Sequence, residues 1–161
     1  MKKIFIGSDK SGFVLKEAIK GYLLEQDYFV EDIGTIDENN ALPFFEVAKK
    51  GATLIQNKLY ERGILICGTG MGMSVVANKH EGVYAAACES VYAAEKARAI
   101  NDANVLCMGG WIIAPIMGIE MTKAFLNTSF TQNLEDWRAR NLEKARVIVK
   151  EIEKESFHRE R

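Results

Sequence analysis

The feature that most constrains the fold is a short apolar run, Gly63–Cys67, followed by a glycine-rich turn and a run of small residues. The run is short enough for one buried strand, and glycines alternate along the turn at Gly68, Gly70 and Gly72. A glycine-rich turn that enters a helix offers free N–H groups and the positive end of the helix dipole to an anion. The segment therefore predicts a strand, a turn and a helix with Cys67 at the carboxyl end of the strand. The same spacing is also typical of a purely structural feature, a tight turn that follows a strand whose last cysteine is simply buried.

Short apolar segments alternate with helical patterns along the rest of the chain. Four more strands are predicted, at residues 3–7, 29–33, 83–88 and 105–108. The segments between and after them carry helical spacing, as in Val14, Leu15 and Ile19, or alanine-rich composition, as in residues 89–99. This order predicts an α/β fold with a five-stranded parallel sheet covered on both faces, and a chain of 161 residues is expected to form one domain over 1–161.

The last segment, residues 135–157, is charged and predicts a long C-terminal helix. Its apolar residues alternate spacings of three and four, which suits packing either on its own domain or on a partner subunit: Leu142, Ala145, Val149 and Ile152. Its start clusters basic side chains beside Trp137, namely Arg138, Arg140 and Lys144. These could hold a phosphate, or they could form a solvated face with pairs to Glu135 or Glu143.

Composition excludes several classes of protein. The net charge of −1 argues against a general electrostatic grip on nucleic acid, and no apolar run approaches the roughly 20 residues that span a bilayer. The apolar part of the start, Ile4–Ile6, is too short for a signal peptide. Three widely spaced cysteines form neither a disulfide framework nor a zinc site, so we expect no metal and a reducing, cytoplasmic location.

Candidate site residues follow from the rule that parallel α/β sheets bind ligands at the carboxyl ends of their strands. The rule selects Ser8, Asp9 and Lys10 after the first strand and Cys67–Met71 after the third. A cysteine at a helix N-terminus can act as a base or a nucleophile because the dipole favours its thiolate. Cys88 and Cys107 lie among apolar neighbours and are expected to be inert core thiols.

Four segments in this order resemble the ribose-5-phosphate isomerase B and galactose-6-phosphate isomerase family. They are Gly7–Gly12 with Leu15 and Lys16, Ile64–Gly72, Ala77–Lys79 and Asn101–Leu106. The resemblance implies a Rossmann-like three-layer α/β/α sandwich. It also implies a homodimer or homotetramer with active sites at the subunit interface, and a sugar phosphate as substrate without cofactor or metal.

The resemblance also implies a mechanism, in which an aldose and a ketose phosphate interconvert through a cis-enediolate. Cys67 would move the proton between C1 and C2, Thr69 and Asp9 would handle hydroxyls, and backbone N–H groups of the glycine turn would stabilise the charge on oxygen. Asn78 would support the site. The substrate-binding residues that follow from the resemblance are Ser8, Lys10, Gly68, Gly70, Met71, Gly72, Asn101, Arg138, Arg140 and Lys144.

The chain departs from the family pattern at three single positions and in its tail, where the family usually carries two arginines four residues apart for phosphate and this chain has Arg140 with Lys144. Lys10 stands where the family usually has histidine, Ile100 stands where a ring-opening histidine is common, and Trp111 stands where arginine is frequent. Because isoleucine transfers no proton, we expect an open-chain substrate, such as a tetrose phosphate. Three alternatives stay open: a galactose-6-phosphate isomerase-like subunit, a non-catalytic sugar-phosphate-binding paralogue, and redox or nucleophilic chemistry at Cys67.

Overall fold

A computed structural model describes residues 2–158 of the chain. The strands are β1 (Lys3–Ser8), β2 (Phe29–Asp32), β3 (Gly63–Cys67), β4 (Ala85–Ala87) and β5 (Val105–Gly109). The helices are α1 (Phe13–Glu25), α2 (Phe44–Gln56), α3 (Met71–Ala77), α4 (Val91–Ala99), α5 (Pro115–Asn127) and α6 (Asp136–Phe157). The β2–α2 loop also contains a short 3-10 helix, Glu38–Asn40, which the sequence did not indicate.

The five strands form one parallel sheet in the order β2-β1-β3-β5-β4. Ser8 at the end of β1 pairs with Ile66, and Cys67 at the end of β3 pairs with Gly109. The carboxyl ends of β1, β3 and β5 therefore lie side by side. The predicted α/β fold with a five-stranded parallel sheet and a long C-terminal helix is confirmed.

Alternate residues of the central strands enter two separate cores, one on each face of the sheet. Ile64 and Ile66 pack with residues of α1, α4 and α5, whereas Leu65 and Cys67 pack with residues of α2 and α3. This is the near-continuous apolar pattern of strands that are covered on both faces. Because the central strands are packed on both faces, the carboxyl end of β3, where Cys67 lies, is held in a fixed position.

The edge strand β4 is shorter than the predicted 83–88. The side chain of Asn78 pairs with both backbone groups of Ala85, accepting from its N–H at 2.8 Å and donating to its carbonyl at 2.8 Å. The Tyr84 N–H donates to the Oδ1 of Asn104 at 2.8 Å. The ladder to β5 therefore begins at Ala85, and Asn78 satisfies the backbone groups of Ala85 that face away from β5.

Helix α6 lies loosely on the body of the chain and buries none of its residues. Glu153 accepts hydrogen bonds from the Gly82 N–H at 2.7 Å and the Tyr84 hydroxyl at 2.8 Å. Apolar side chains along the helix, among them Val147 and Ile148, are exposed. Within residues 2–158, no helix is both long and apolar enough to cross a membrane.

Candidate active site

Cys67 lies at the carboxyl end of β3, and its side chain is buried, with 6% of its surface exposed. The backbone N–H of Gly70 donates to the Cys67 Sγ at 3.1 Å. Gly70 has a φ of 78° and lies against the Met108 backbone, where a Cβ would approach within 2.8 Å. Only glycine accepts both conditions without strain, so the turn that points a donor at the sulfur requires it.

The loop after Cys67 carries further donors. The Thr69 Oγ1 accepts the N–H of Met71 at 3.3 Å, which uses one of the free amides at the start of α3. The N–H groups of Gly68 and Thr69 donate to no acceptor within residues 2–158. These amides are therefore available to an oxygen atom that develops negative charge.

Asp9 follows β1, next to the Cys67 loop. Its N–H donates to the Ile66 carbonyl at 3.2 Å, and its Oδ1 accepts the N–H of Gly12 at 3.0 Å. Partial burial raises the pKa of Asp9 in spite of the hydrogen bonds from Gly12 and Ser11. A carboxyl group with a raised pKa is suited to exchanging protons with a hydroxyl.

The neighbours of Asp9 occupy different environments. Ser8 is fully buried, and its Oγ has no hydrogen-bond partner within residues 2–158. Lys10 is exposed to solvent. The structure thus brings Ser8, Asp9 and Lys10 to the same edge of the sheet as Cys67, Thr69 and the glycine turn.

Trp111 lies in the loop after β5, beside the loops that follow β1 and β3. The Gly110 N–H donates to the Cys67 carbonyl at 2.7 Å, and the Trp111 N–H donates to the Gly68 carbonyl at 3.0 Å. The indole lies against Gly68, where a Cβ would come within 2.8 Å of the ring, yet 74% of the Trp111 surface is exposed. A large aromatic surface therefore stands open beside Cys67.

Asn101 lies at the opposite edge of the sheet, because it precedes β5 instead of following it. It lines a cavity of about 410 Å³ between β4 and α6, together with Ile100 and Arg146. A larger cavity of about 460 Å³, at the starts of β1 and β3, contains none of the predicted site residues. One chain therefore does not bring Asn101 and Cys67 together.

The predicted basic residues of the C-terminal helix, Arg138, Arg140 and Lys144, are exposed on α6 and do not line the Asn101 cavity. Arg146 does, and the sequence interpretation did not select it. Its Nη1 lies 3.1 Å from the Asp102 Oδ2, and its guanidinium lies 4.4 Å from the centre of the Phe130 ring. The available signal was its helical spacing from Leu142 and Val149, which places a charge within the apolar stripe.

The other two thiols have no such surroundings. Burial raises the pKa of Cys88 to about 11, and full burial raises the pKa of Cys107 strongly. Within residues 2–158, no three His, Cys, Asp or Glu side chains are grouped as metal ligands would be. The carboxyl edge instead presents a thiol, a carboxyl group and unpaired amides, a set suited to moving a proton next to a carbonyl group.

A carboxyl edge of this kind is typical of α/β enzymes that move a proton next to a carbonyl group. Residues 4–144 match the family described as Ribose/Galactose Isomerase. This match covers most of the chain, and the protein belongs to that family.

Three relatives show the range of this family. A 4-deoxy-4-sulfo-D-erythrose isomerase of Clostridium sp. (strain MSTE9) is 60% identical over 157 residues, which are 98% of each chain. A D-erythrulose-4-phosphate isomerase of Pectobacterium atrosepticum is 38% identical, over 81% of this chain and 86% of the relative. The solved structure of Clostridium thermocellum ribose-5-phosphate isomerase B aligns with a TM-score of 0.83 and 34% identity, over 96% of this chain and 99% of the other.

Proposed function

We propose that the protein interconverts an open-chain four-carbon aldose that carries an anionic group on C4 with the corresponding 2-ketose. The leading substrate is 4-deoxy-4-sulfo-D-erythrose. Its support is the 60% identity, over nearly the full length of both chains, to a relative named for that sugar. A tetrose 4-phosphate is the second member of the same substrate class, and the relative named for erythrulose 4-phosphate supports it.

Ile100 is the observation that carries the open-chain character of the substrate. It lines the Asn101 cavity between β4 and α6 and offers no group that could transfer a proton to a ring oxygen. A tetrose with a sulfonate on C4 has no C4 hydroxyl, and phosphorylation blocks that hydroxyl in a tetrose 4-phosphate. Neither sugar closes a furanose ring, so neither needs a ring-opening acid.

The isomerisation proceeds in two proton transfers at carbon. The Cys67 sulfur takes the proton from C2 of the aldehyde, and the electron pair moves into a C1–C2 double bond, which leaves negative charge on O1. The thiol exchanges this proton with solvent and then protonates C1, while the O2 proton passes to O1. Asp9, whose raised pKa favours proton exchange near the site, carries the proton from O2 to O1, and Thr69 orients a hydroxyl.

The charge on oxygen is stabilised by the amides of the glycine turn. The N–H groups of Gly68 and Thr69 have no acceptor within residues 2–158, so they need not give up a protein partner. Fixed donors of this kind stabilise an enediolate more than the neutral aldehyde, and this difference lowers the barrier.

The complete site needs a second copy of the chain, in a homodimer or a larger homo-oligomer. The Asn101 cavity of one copy supplies the surface that faces Cys67 of the other, and Arg146 in that cavity holds the anionic end of the substrate. Exposed apolar side chains support this association on both surfaces: Met71, Trp111 and Ile116 at the carboxyl edge, and Val147, Ile148 and Ile152 on α6.

A substrate comparison tests the proposal. The purified protein is incubated with 4-deoxy-4-sulfo-D-erythrose, D-erythrose 4-phosphate and D-ribose 5-phosphate, and ketose formation is followed by proton NMR. We expect the highest kcat/KM for the sulfonate, a lower value for the tetrose phosphate and the lowest for ribose 5-phosphate. A higher kcat/KM for ribose 5-phosphate than for either tetrose would reject the open-chain proposal.

A further inference from the structure

Lys16 is a lysine whose side chain is fully buried and whose ammonium group is held on several sides. Its Nζ donates to the Asp32 Oδ2 at 2.6 Å and to the Thr35 carbonyl at 2.6 Å. It also lies 2.8 Å from the Glu17 Oε1 and 5.1 Å from the centre of the Phe13 ring. A buried ammonium is costly unless it is paired, so these contacts hold it in one place.

The surrounding charges form a compact network. Lys20 donates to the same Asp32 Oδ2 at 2.8 Å and to Glu17 at 2.7 Å, but its side chain is 24% exposed. Burial alone would raise the pKa of Asp32, yet the hydrogen bonds from Lys16 and Lys20 hold it below its usual value. Of the two lysines, Lys16 alone reaches the Thr35 carbonyl.

Thr35 connects this network to both sides of the candidate active site. Its N–H donates to the Ser8 carbonyl at 2.8 Å, immediately before Asp9. Its Oγ1 accepts the N–H of Leu42 at 3.0 Å, which closes the loop between β2 and α2. Thr35 itself is fully buried, whereas Leu42 at the other end of this connection is 38% exposed.

The closed loop leads directly to the glycine turn. Phe44 begins α2 just after Leu42, and its ring lies against Gly72, where a Cβ would come within 2.9 Å of the ring. The path from Lys16 through Thr35 therefore ends at Asp9 on one side and at the start of α3 on the other. Lys16 itself is not one of the predicted substrate-binding residues.

We propose that Lys16 is a positioning residue for the isomerase site: it anchors Thr35, and Thr35 fixes both Asp9 and the loop that seats Phe44 on the glycine turn. This inference rests on the proposed function for its catalytic consequence. Lys16 touches neither the thiol nor the substrate, so it acts through the geometry of the groups that do.

The test compares Lys16→Met with Lys20→Met at a temperature where circular dichroism shows both variants fully folded. Both substitutions remove a charge from the Asp32 network, but only Lys16→Met frees the Thr35 carbonyl. For Lys16→Met we expect kcat to fall by about 10- to 100-fold, as misplaced site groups do, with a much smaller change in KM. Lys20→Met is expected to keep the wild-type kcat.

Hydrogen exchange gives a readout that needs no substrate. In Lys16→Met the amides of Thr35 and Leu42 are expected to lose protection, whereas in Lys20→Met they stay protected. Wild-type kcat together with wild-type protection in a folded Lys16→Met protein would overturn the inference. An inactive wild-type protein on the whole substrate panel would instead reject the proposed function, and the exchange data would still decide the anchoring.

A second variant keeps the test decisive if Lys16→Met does not fold. Thr35→Val leaves the Lys16 charge paired and removes only the Oγ1 acceptor of the Leu42 N–H. The inference requires this variant to lose protection at Leu42 and to lower kcat. Unchanged values of both would overturn it.

Discussion

Cys67 and Asn101 lie at opposite edges of the same parallel sheet. Cys67 ends β3, whereas Asn101 lies in the turn that precedes β5. The distance between the two edges is fixed by the packed strands, so rearrangement of a loop does not bring the two side chains together. If both act on one substrate molecule, they come from two chains.

Mixed dimers test the proposal that the site is shared between two chains. Cys67→Ala and Asn101→Ala are each expected to lose most isomerase activity as homodimers. When the two variants are unfolded, mixed in equal amounts and refolded together, mixed dimers carry one site without either substitution. Activity is expected to return to about a quarter of the wild-type rate, because half of randomly assorted dimers are mixed and each has one intact site. A mixture no more active than its better component would show that the site lies within one chain.

Restoring a proton donor at position 100 is expected to widen the substrate range. Ile100→His places an imidazole in the Asn101 cavity. A positioned general acid adds about 10²-fold or more to a step that it serves, so ribose 5-phosphate turnover is expected to rise while tetrose turnover changes little. Ile100→Gln is the matched control, since its side chain is polar but does not titrate. Equal rates for the two variants on ribose 5-phosphate would contradict a ring-opening role for this position.

Replacement of Gly70 by alanine is expected to lower the free energy of unfolding for two separable reasons. Gly70 and Gly82 have nearly the same φ, 78° and 76°, but only Gly70 has the Met108 backbone where a Cβ would lie. Gly82→Ala is expected to cost about 1–2 kcal/mol of unfolding free energy from the left-handed backbone alone. Gly70→Ala adds overpacking, about 1–3 kcal/mol more, and its Tm is expected to be the lower of the two. Equal unfolding free energies in urea would show that the Met108 contact adds no strain.

Asp9→Asn is expected to stabilise the protein at neutral pH while it lowers activity. The folded state raises the pKa of Asp9, chiefly through burial, so the native chain binds this proton more tightly than the unfolded chain. Stability therefore falls as the pH rises from the unfolded pKa through the raised folded pKa, and the full cost is present at pH 7. The Tm difference between variant and wild type is expected to be positive at pH 7 and to disappear near pH 3. A negative difference at pH 7 would contradict the burial argument.

The sequence was sufficient for the number of strands, their order along the chain and the carboxyl-edge group of Asp9, Cys67 and Thr69, but not for every strand boundary. Apolar runs bounded by glycine specify strands locally, and the rule for parallel sheets then gives the edge. The start of β4 was predicted wrongly because the Val83 N–H donates back to the His80 carbonyl and the Tyr84 N–H donates to the side chain of Asn104, contacts that only the folded chain makes.

Three features needed the folded chain. Arg146 and Ile100 share a cavity only because α6 crosses the amino edge of the sheet. The contact of Lys16 with Thr35 joins α1 to the loop after β2, and neither residue type at its position signals the other. The site contributions of Arg138, Arg140 and Lys144 stay a prediction, since all three side chains are exposed on α6.

The most direct test of the account is proton transfer at carbon in D₂O, with 4-deoxy-4-sulfo-D-erythrose as substrate and wild type beside Cys67→Ala. Wild type is expected to form the ketose with solvent deuterium at C1. The alanine variant, folded and oligomeric as wild type, is expected to be slower by about 10²- to 10⁴-fold, the range for loss of a general base. A Cys67→Ala protein that forms the deuterated ketose at the wild-type rate would show that another group is the base.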